Sequence, residues 1–270
     1  MVELNNKYKI GVRRFGTINW IGFYSLYKKE TLRFLIVFGQ TILGPVLTGI
    51  LFLIVISIAW GDERGEVLGL PFIEFLAPGL ISMQVIQQAF SHSSSSILMG
   101  KVMGNIIDLI GSPLSAAEVT LAIVLASVTR SFIICTVSII CFNLFTDVKV
   151  LNYYHFFAYL ILSSFFMGSL GFIAGMWAEK FDNMATVTNF IIVPLSFLSG
   201  TFYSIEKLPS ILKEISIYNP FFHMIDGLRF SMIGSSDGSI IFGLPYLLLF
   251  NLILWFTAYY LYKKGYKIKS

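Results

Sequence analysis

The sequence predicts an all-α membrane protein: six transmembrane helices, an N-terminal amphipathic interface helix, and an extracellular re-entrant helix pair before the last span. Three observations predict it. Hydrophobic residues fill 56% of the 270 positions and charged residues only 13%, against the roughly 25% that soluble domains use to keep their surface hydrated. Lipid must therefore solvate much of this surface. Six apolar runs reach or approach the ~20 residues that cross a hydrocarbon core. Lysine and arginine gather at the two chain ends, as an even number of crossings requires of a chain with both ends on one side.

The segment Trp20–Phe34 comes first. On a helical wheel Trp20, Phe23, Tyr24, Tyr27 and Phe34 fall within about 100°, with Lys29 and Arg33 off that stripe. This predicts a helix over 17–33 lying in the interface, rings at headgroup depth and cations in water. It serves either as an anchor for span one or as a lever between a soluble partner and the bundle. The spans are then read at Phe34–Trp60, Phe72–Phe90, Val119–Phe145, Tyr153–Ala178, Thr186–Tyr203 and Ile240–Leu261.

Two connections carry further information. In 95–118, Ile97, Leu98, Met99, Val102, Met103, Ile106, Ile107 and Ile110 predict an apolar helical segment that Gly111 ends. Ser115 and Glu118 then form a capping box for span three. An apolar helix on a loop marks a protein interface unless it folds back on the bundle; docking to a partner subunit is the expectation. In 205–239, Leu208–Ile217 and Phe221–Ile233 are too short to cross. Pro209 and Pro220 stand at helix starts, Asn219 can cap the second, and Gly234 ends it. A crossing here would turn the lysine-rich tail outward, so the pair is read as dipping into the outer leaflet.

Lys7, Lys9, Arg13, Arg14, Lys28, Lys29 and Arg33 precede span one, and Lys263, Lys264, Lys267 and Lys269 follow span six. Both termini are thus expected in the cytoplasm of a bacterial inner membrane, with no signal peptide, because the first apolar run is too long and too late for one. Arg130 stands inside span three at a cost of at least ~2.5 kcal/mol if unpaired. It is a candidate for the translocation path or for helix pairing. Cys135 and Cys141 share one apolar run and read as packing residues; Ser93–Ser96 reads as tight helix packing. The chain has no G-x-x-x-x-G-K-[ST] loop, its three histidines are isolated, and no serine sits in G-x-S-x-G. No catalytic, cofactor or metal site is expected, nor nucleic-acid binding. A stand-alone channel or proton-coupled carrier is the alternative function, and would want paired ionisable residues in the spans; these are scarce.

This order of segments resembles the type-two ABC exporter permeases. The resemblance is most specific at Pro194, Phe197-Leu198-Ser199-Gly200-Thr201-Phe202-Tyr203, Leu208-Pro209, Asn219-Pro220 and Asp226-Gly227-Leu228-Arg229. Ser112-Pro113-Leu114-Ser115 looks like that family's cytoplasmic loop, while Ser204 departs from it, since proline often follows the aromatic residue there. The resemblance implies one permease domain over 1–270, acting as a homodimer with separate P-loop subunits that hold ATP and Mg. Met99, Val102, Met103, Ile106 and Ile107 would receive the ATPase, and 205–239 would form the outer gate. The substrate would be amphipathic, lipid-linked or polysaccharide.

Overall fold

A computed structural model describes residues 18–60 and 65–267; the basic residues Lys7, Lys9, Arg13, Arg14, Arg64 and Lys269 lie outside that range. The chain is mostly helical. Helix α1 (Trp20–Ile36) is followed by a π-helical turn (Gly39–Leu43) that leads into α2 (Gly44–Trp60). A two-residue hairpin, β1 (Glu66–Val67) and β2 (Leu70–Pro71), precedes α3 (Phe72–Val102). Its turn residues Leu68 and Gly69 both have positive φ, the geometry of a tight hairpin turn. Then come α4 (Ile106–Gly111), α5 (Ala116–Phe142) and α6 (Tyr153–Trp177). Helices α7 (Phe181–Val187) and α8 (Val193–Leu198) are joined by a second π-helical turn (Thr188–Ile192) into one 18-residue rod. Short helices α9 (Ser210–Tyr218) and α10 (Pro220–Ile233) precede α11 (Ile240–Lys263).

Five helical stretches among the described residues are long and apolar enough to cross a membrane: Gly39–Ala59, α5, α6, Phe181–Leu198 and α11. Helix α3 differs from the sequence reading. Its 31 residues span about 46 Å at 1.5 Å per residue, well beyond a ~30 Å core. Gln84, Gln87, Gln88, His92 and Ser93–Ser96 make it more polar than the other five. The run read as ending at Phe90 does not end there: Ser95–Val102 belong to the same helix. The break comes at Gly104, whose φ is +77°, so Met99 and Val102 sit on α3 while Ile106 and Ile107 sit on α4. Only 103–115 is a true connection.

Helices α3 and α6 form the centre. Their backbones touch because glycines on α6 leave no side chain between them: a Cβ on Gly171 would lie 2.4 Å from the Phe90 carbonyl oxygen, and one on Gly175 2.8 Å from that of Ser94. A Cβ on Gly168 would lie 2.2 Å from the Ser127 side-chain Oγ on α5. Small residues are how helices approach closely where lipid supplies no hydrophobic force between them. At one end of α3, Phe75 and Gly79 meet Arg229 of α10. At the other, Lys101 donates to the carbonyls of Gly175, Met176 and Ala178 (3.4, 2.8 and 2.5 Å), capping the end of α6. The main core lies along α3, α6 and α10; a second, around Leu26, Ile97, Ile106, Val119, Phe172 and Met176, lies at the Lys101 end.

Candidate functional site

Three features stand out along α3: a platform at the Lys101 end, a groove at mid-length, and a polar knot at the Phe75 end.

The platform is built from α1, α4 and the start of α5. Asn19 caps α1, its Oδ1 accepting the Gly22 N–H at 3.0 Å, as a first-turn donor requires. The Asn19 N–H donates to Glu118 Oε1 at 2.6 Å, and its Nδ2 to the Pro113 carbonyl at 3.0 Å. The other Glu118 oxygen accepts the Ser115 N–H at 2.6 Å while Ser115 Oγ accepts the Glu118 N–H at 3.3 Å. This is the capping box read from the sequence, but its carboxylate also ties down a second helix 99 positions away. Farther along, Tyr27 and Thr129 hydroxyls bond at 2.7 Å. Helix α1 is therefore strapped along α5.

That strapping corrects the reading of α1 as one interfacial face. Trp20 and Tyr24 are exposed, whereas Phe23 and Tyr27 pack on the second core and Phe34 is buried. Nor does Arg33 stand in water. Its Nε donates to Glu30 at 2.9 Å, Nη1 to Ser95 Oγ at 3.3 Å and Nη2 to the His92 carbonyl at 3.0 Å. Glu30 also accepts from Ser96 at 2.8 Å, and buried charges need such partners. The five docking candidates divide. Ile106 is buried against Gly100 and Met99 is half-buried, so neither presents a side chain freely. Val102, Met103 and Ile107 are exposed, the last two at 62% and 69%, with Ile110 beside them. Just beyond α6, the Lys267 ammonium donates to Glu179 at 2.9 Å and holds its carboxyl below the usual carboxylate range.

The groove, of about 400 Å3, runs between α2, α3 and α8. Gln84, Gln87 and Gln88 line one wall, Thr48, Gly49 and Phe52 a second, and Val193 and Phe197 the third. Arg130, buried on α5, donates to Gln88 Oε1 and to the Thr41 carbonyl. Arg130 thus faces the bundle interior, one of the two placements its sequence position allowed.

The knot gathers the family-motif residues. Arg229, fully buried, donates through Nη2 to the carbonyls of Gly200 (2.5 Å) and Thr201 (3.4 Å) and lies 4.0 Å over the Phe75 ring, a cation–π contact. Gly200 has φ +77°, which favours glycine. Asn219 caps α10 and donates from Nδ2 to Ser199 Oγ at 2.9 Å. Asp226 accepts the N–H groups of Asp237 and Gly238 at 2.9 and 3.0 Å. Ser204 donates to Asp237 at 2.5 Å and caps the turn Ile205–Lys207, which is what stands in place of the family's proline. Pro194 opens α8, while Pro209 and Pro220 open α9 and α10.

The sequence reading missed the Asn19–Glu118 tie, the Glu30–Arg33–His92 cluster and the glutamine wall. The last had a visible signal: Gln84, Gln87 and Gln88 recur at helical i, i+3, i+4 spacing inside an apolar run. Among the described residues no three His, Cys, Asp or Glu side chains cluster as metal ligands do.

The chain is similar to the inner membrane transport permease YadH of Escherichia coli K12, 28% identical over 251 residues covering 93% of this chain and 98% of the relative. It is also similar to Nodulation protein J of Rhizobium leguminosarum bv. viciae, 22% identical over 237 residues, 83% of this chain and 86% of that protein. Nodulation protein J of Sinorhizobium fredii is 20% identical over 245 residues, 89% and 91% of the two chains. The family model of the ABC-2 type transporter matches residues 21–233, a stretch that contains the groove and most of the platform and the knot, leaving out Asn19, Asp237 and Gly238. The chain is a multi-pass membrane protein that belongs to the ABC-2 type transporter family, as its permease subunit.

Proposed function

We propose that this chain is the membrane subunit of an ATP-driven exporter, paired with a second copy of itself and with separate P-loop subunits that bind ATP and Mg. The observation that carries the reading is the platform. Val102, Met103, Ile107 and Ile110 form an exposed apolar surface on elements whose other faces are locked to α1, α5 and α6. Exposed patches of this kind mark interfaces, and the sequence carries no engine of its own. In this reading α3 is the sixth span, and its last turns project into the cytoplasm with α1 and α4. The C-terminal lysines at the same end, Lys263, Lys264 and Lys267, support a cytoplasmic C-terminus. Helices α9 and α10, at the far end, form a re-entrant pair closing the outer side over the knot. The three least buried spans, the α7–α8 rod, α11 and α2, expose apolar flanks; α2 and the rod border the groove, so a second copy set there would complete a path for an amphipathic, lipid-linked or polysaccharide substrate.

The test is capture of the tagged protein in mild detergent. A P-loop ATPase co-purifies with the native chain, whereas Met103→Asp and Ile107→Asp lose it while still inserting in the membrane. Transport by the isolated chain with no ATPase bound would overturn the reading.

A further inference from the structure

We propose that the groove between α2, α3 and α8 binds the uncharged, oxygen-rich part of a substrate through a row of glutamine amide donors, and excludes cationic groups. This rests on the exporter reading above and names what that path accepts.

The orientation of the amides carries the inference. A guanidinium has only donors, so Arg130 binding Gln88 must hold its carbonyl oxygen, leaving the Gln88 NH2 pointing away from α5. Ser138 Oγ likewise donates to Gln84 Oε1 at 2.8 Å, which directs the Gln84 NH2 toward α2. There Gly49 makes room for it: a Cβ on Gly49 would stand 1.7 Å from Gln84 Nε2. Gln84 is 91% buried (9% exposed), and among the described residues neither its Nε2 nor that of Gln87 has a hydrogen-bond partner. Native proteins rarely leave buried donors unpaired, so these two await acceptors. Two α5 side chains thus preset amide donors on α3 toward a groove bordered by Gly49 and flanked by Phe52 and Phe197. Among the described residues none that lines it is acidic or basic. A hydroxyl, ether or carbonyl oxygen finds donors there; an ammonium finds no carboxylate, meets Gln84 and Gln88 oxygens already occupied by Ser138 and Arg130, and faces the Arg130 charge behind Gln88.

The test uses the full chain in phosphatidylcholine nanodiscs, with radiolabelled dodecyl maltoside and dodecyltrimethylammonium as matched neutral and cationic probes. Empty nanodiscs correct for partitioning. Saturable maltoside binding is expected, falling at least 10-fold in the Gln84→Met/Gln87→Met double variant, with no saturable binding of the cation. Gly49→Ala, which keeps both amides but displaces Gln84, should weaken maltoside binding in the same direction and serves as the second variant should the double variant misfold. Absent maltoside binding, equal binding of the cation, or unchanged binding in both variants would overturn the proposal. ATPase capture by the native chain then decides the other question: if it persists, the exporter reading stands and only the groove assignment falls.

Discussion

Glu118 has two carboxylate oxygens, and each accepts a backbone donor at a different helix start. One closes the capping box with Ser115; the other holds Asn19, the cap of α1. Asn19 is buried and Ser115 is exposed, so removing the carboxylate leaves the Ser115 N–H to water but strands the Asn19 N–H, at about 1–3 kcal/mol for a buried donor left unpaired. Ser115→Ala loses a single cap bond and should cost about 1 kcal/mol. Glu118→Ala should therefore lower the unfolding temperature more than Ser115→Ala does, and should alone make the 18–36 segment sensitive to added protease. Equal effects of the two substitutions would show that the tie to α1 contributes nothing. The carboxylate's first role was legible in the sequence, since a capping box is a four-residue pattern. Its second was not, because nothing local in Asn19 announces a partner 99 residues away.

At the scale of elements, α6 shows how a polar helix such as α3 is kept in the middle of the molecule. Gly171 and Gly175 bring α3 to backbone distance, and Gly168 makes room for the Ser127 side chain of α5; the serines of α3 suit that close approach. Overfilling a packed interior costs about 1–3 kcal/mol, and at Gly171 the obstacle is backbone, which cannot rotate aside. Gly171→Val should give a lower unfolding temperature and an aggregated fraction on size exclusion, with Gly171→Ala milder in the same sense; a native profile for the valine variant would refute the close approach. Elsewhere two caps were readable: Asn219 before α10 and the Ser115–Glu118 box before α5. Asn152 and Ser239 also cap the helices that follow them. The length of α3 was not readable, because its glutamines, histidine and serines look like the end of a span. His92, Ser93 and Ser94 are buried against other helices, and the glutamines line the groove; neither group marks the end of the helix. The two π-helical turns, Gly39–Leu43 and Thr188–Ile192, escaped as well, since one extra residue per turn leaves the apolar run intact; such bulges favour functional sites.

For the whole molecule, the helices are buried unevenly. Helices α3 and α6 are enclosed, whereas α2, the α7–α8 rod and α11 leave long apolar flanks uncovered. Lipid can cover any of them, but only α2 and the rod border the groove. In a Cys141→Ser background, Phe190→Cys on the rod, where the native ring is 77% exposed, should cross-link two copies in native membranes with a short bis-maleimide. Phe256→Cys on α11, also exposed, should not. The reverse pattern would place the second copy on another face.

By itself the sequence determined the membrane class, the order of the main helices, the caps at Ser115–Glu118 and Asn219, and the motif-bearing stretch from Pro194 to Arg229. Each of these is written in run length, composition or spacing within a few turns of chain. Tertiary structure alone decided which polar groups meet: Glu118 with Asn19, Arg33 with Glu30 and the His92 carbonyl, Arg229 with the Gly200 carbonyl, and Gln84 against Gly49. A buried donor or charge must find a partner, but in a bundle the partner usually comes from another helix. Which helix that is depends on packing over the whole chain.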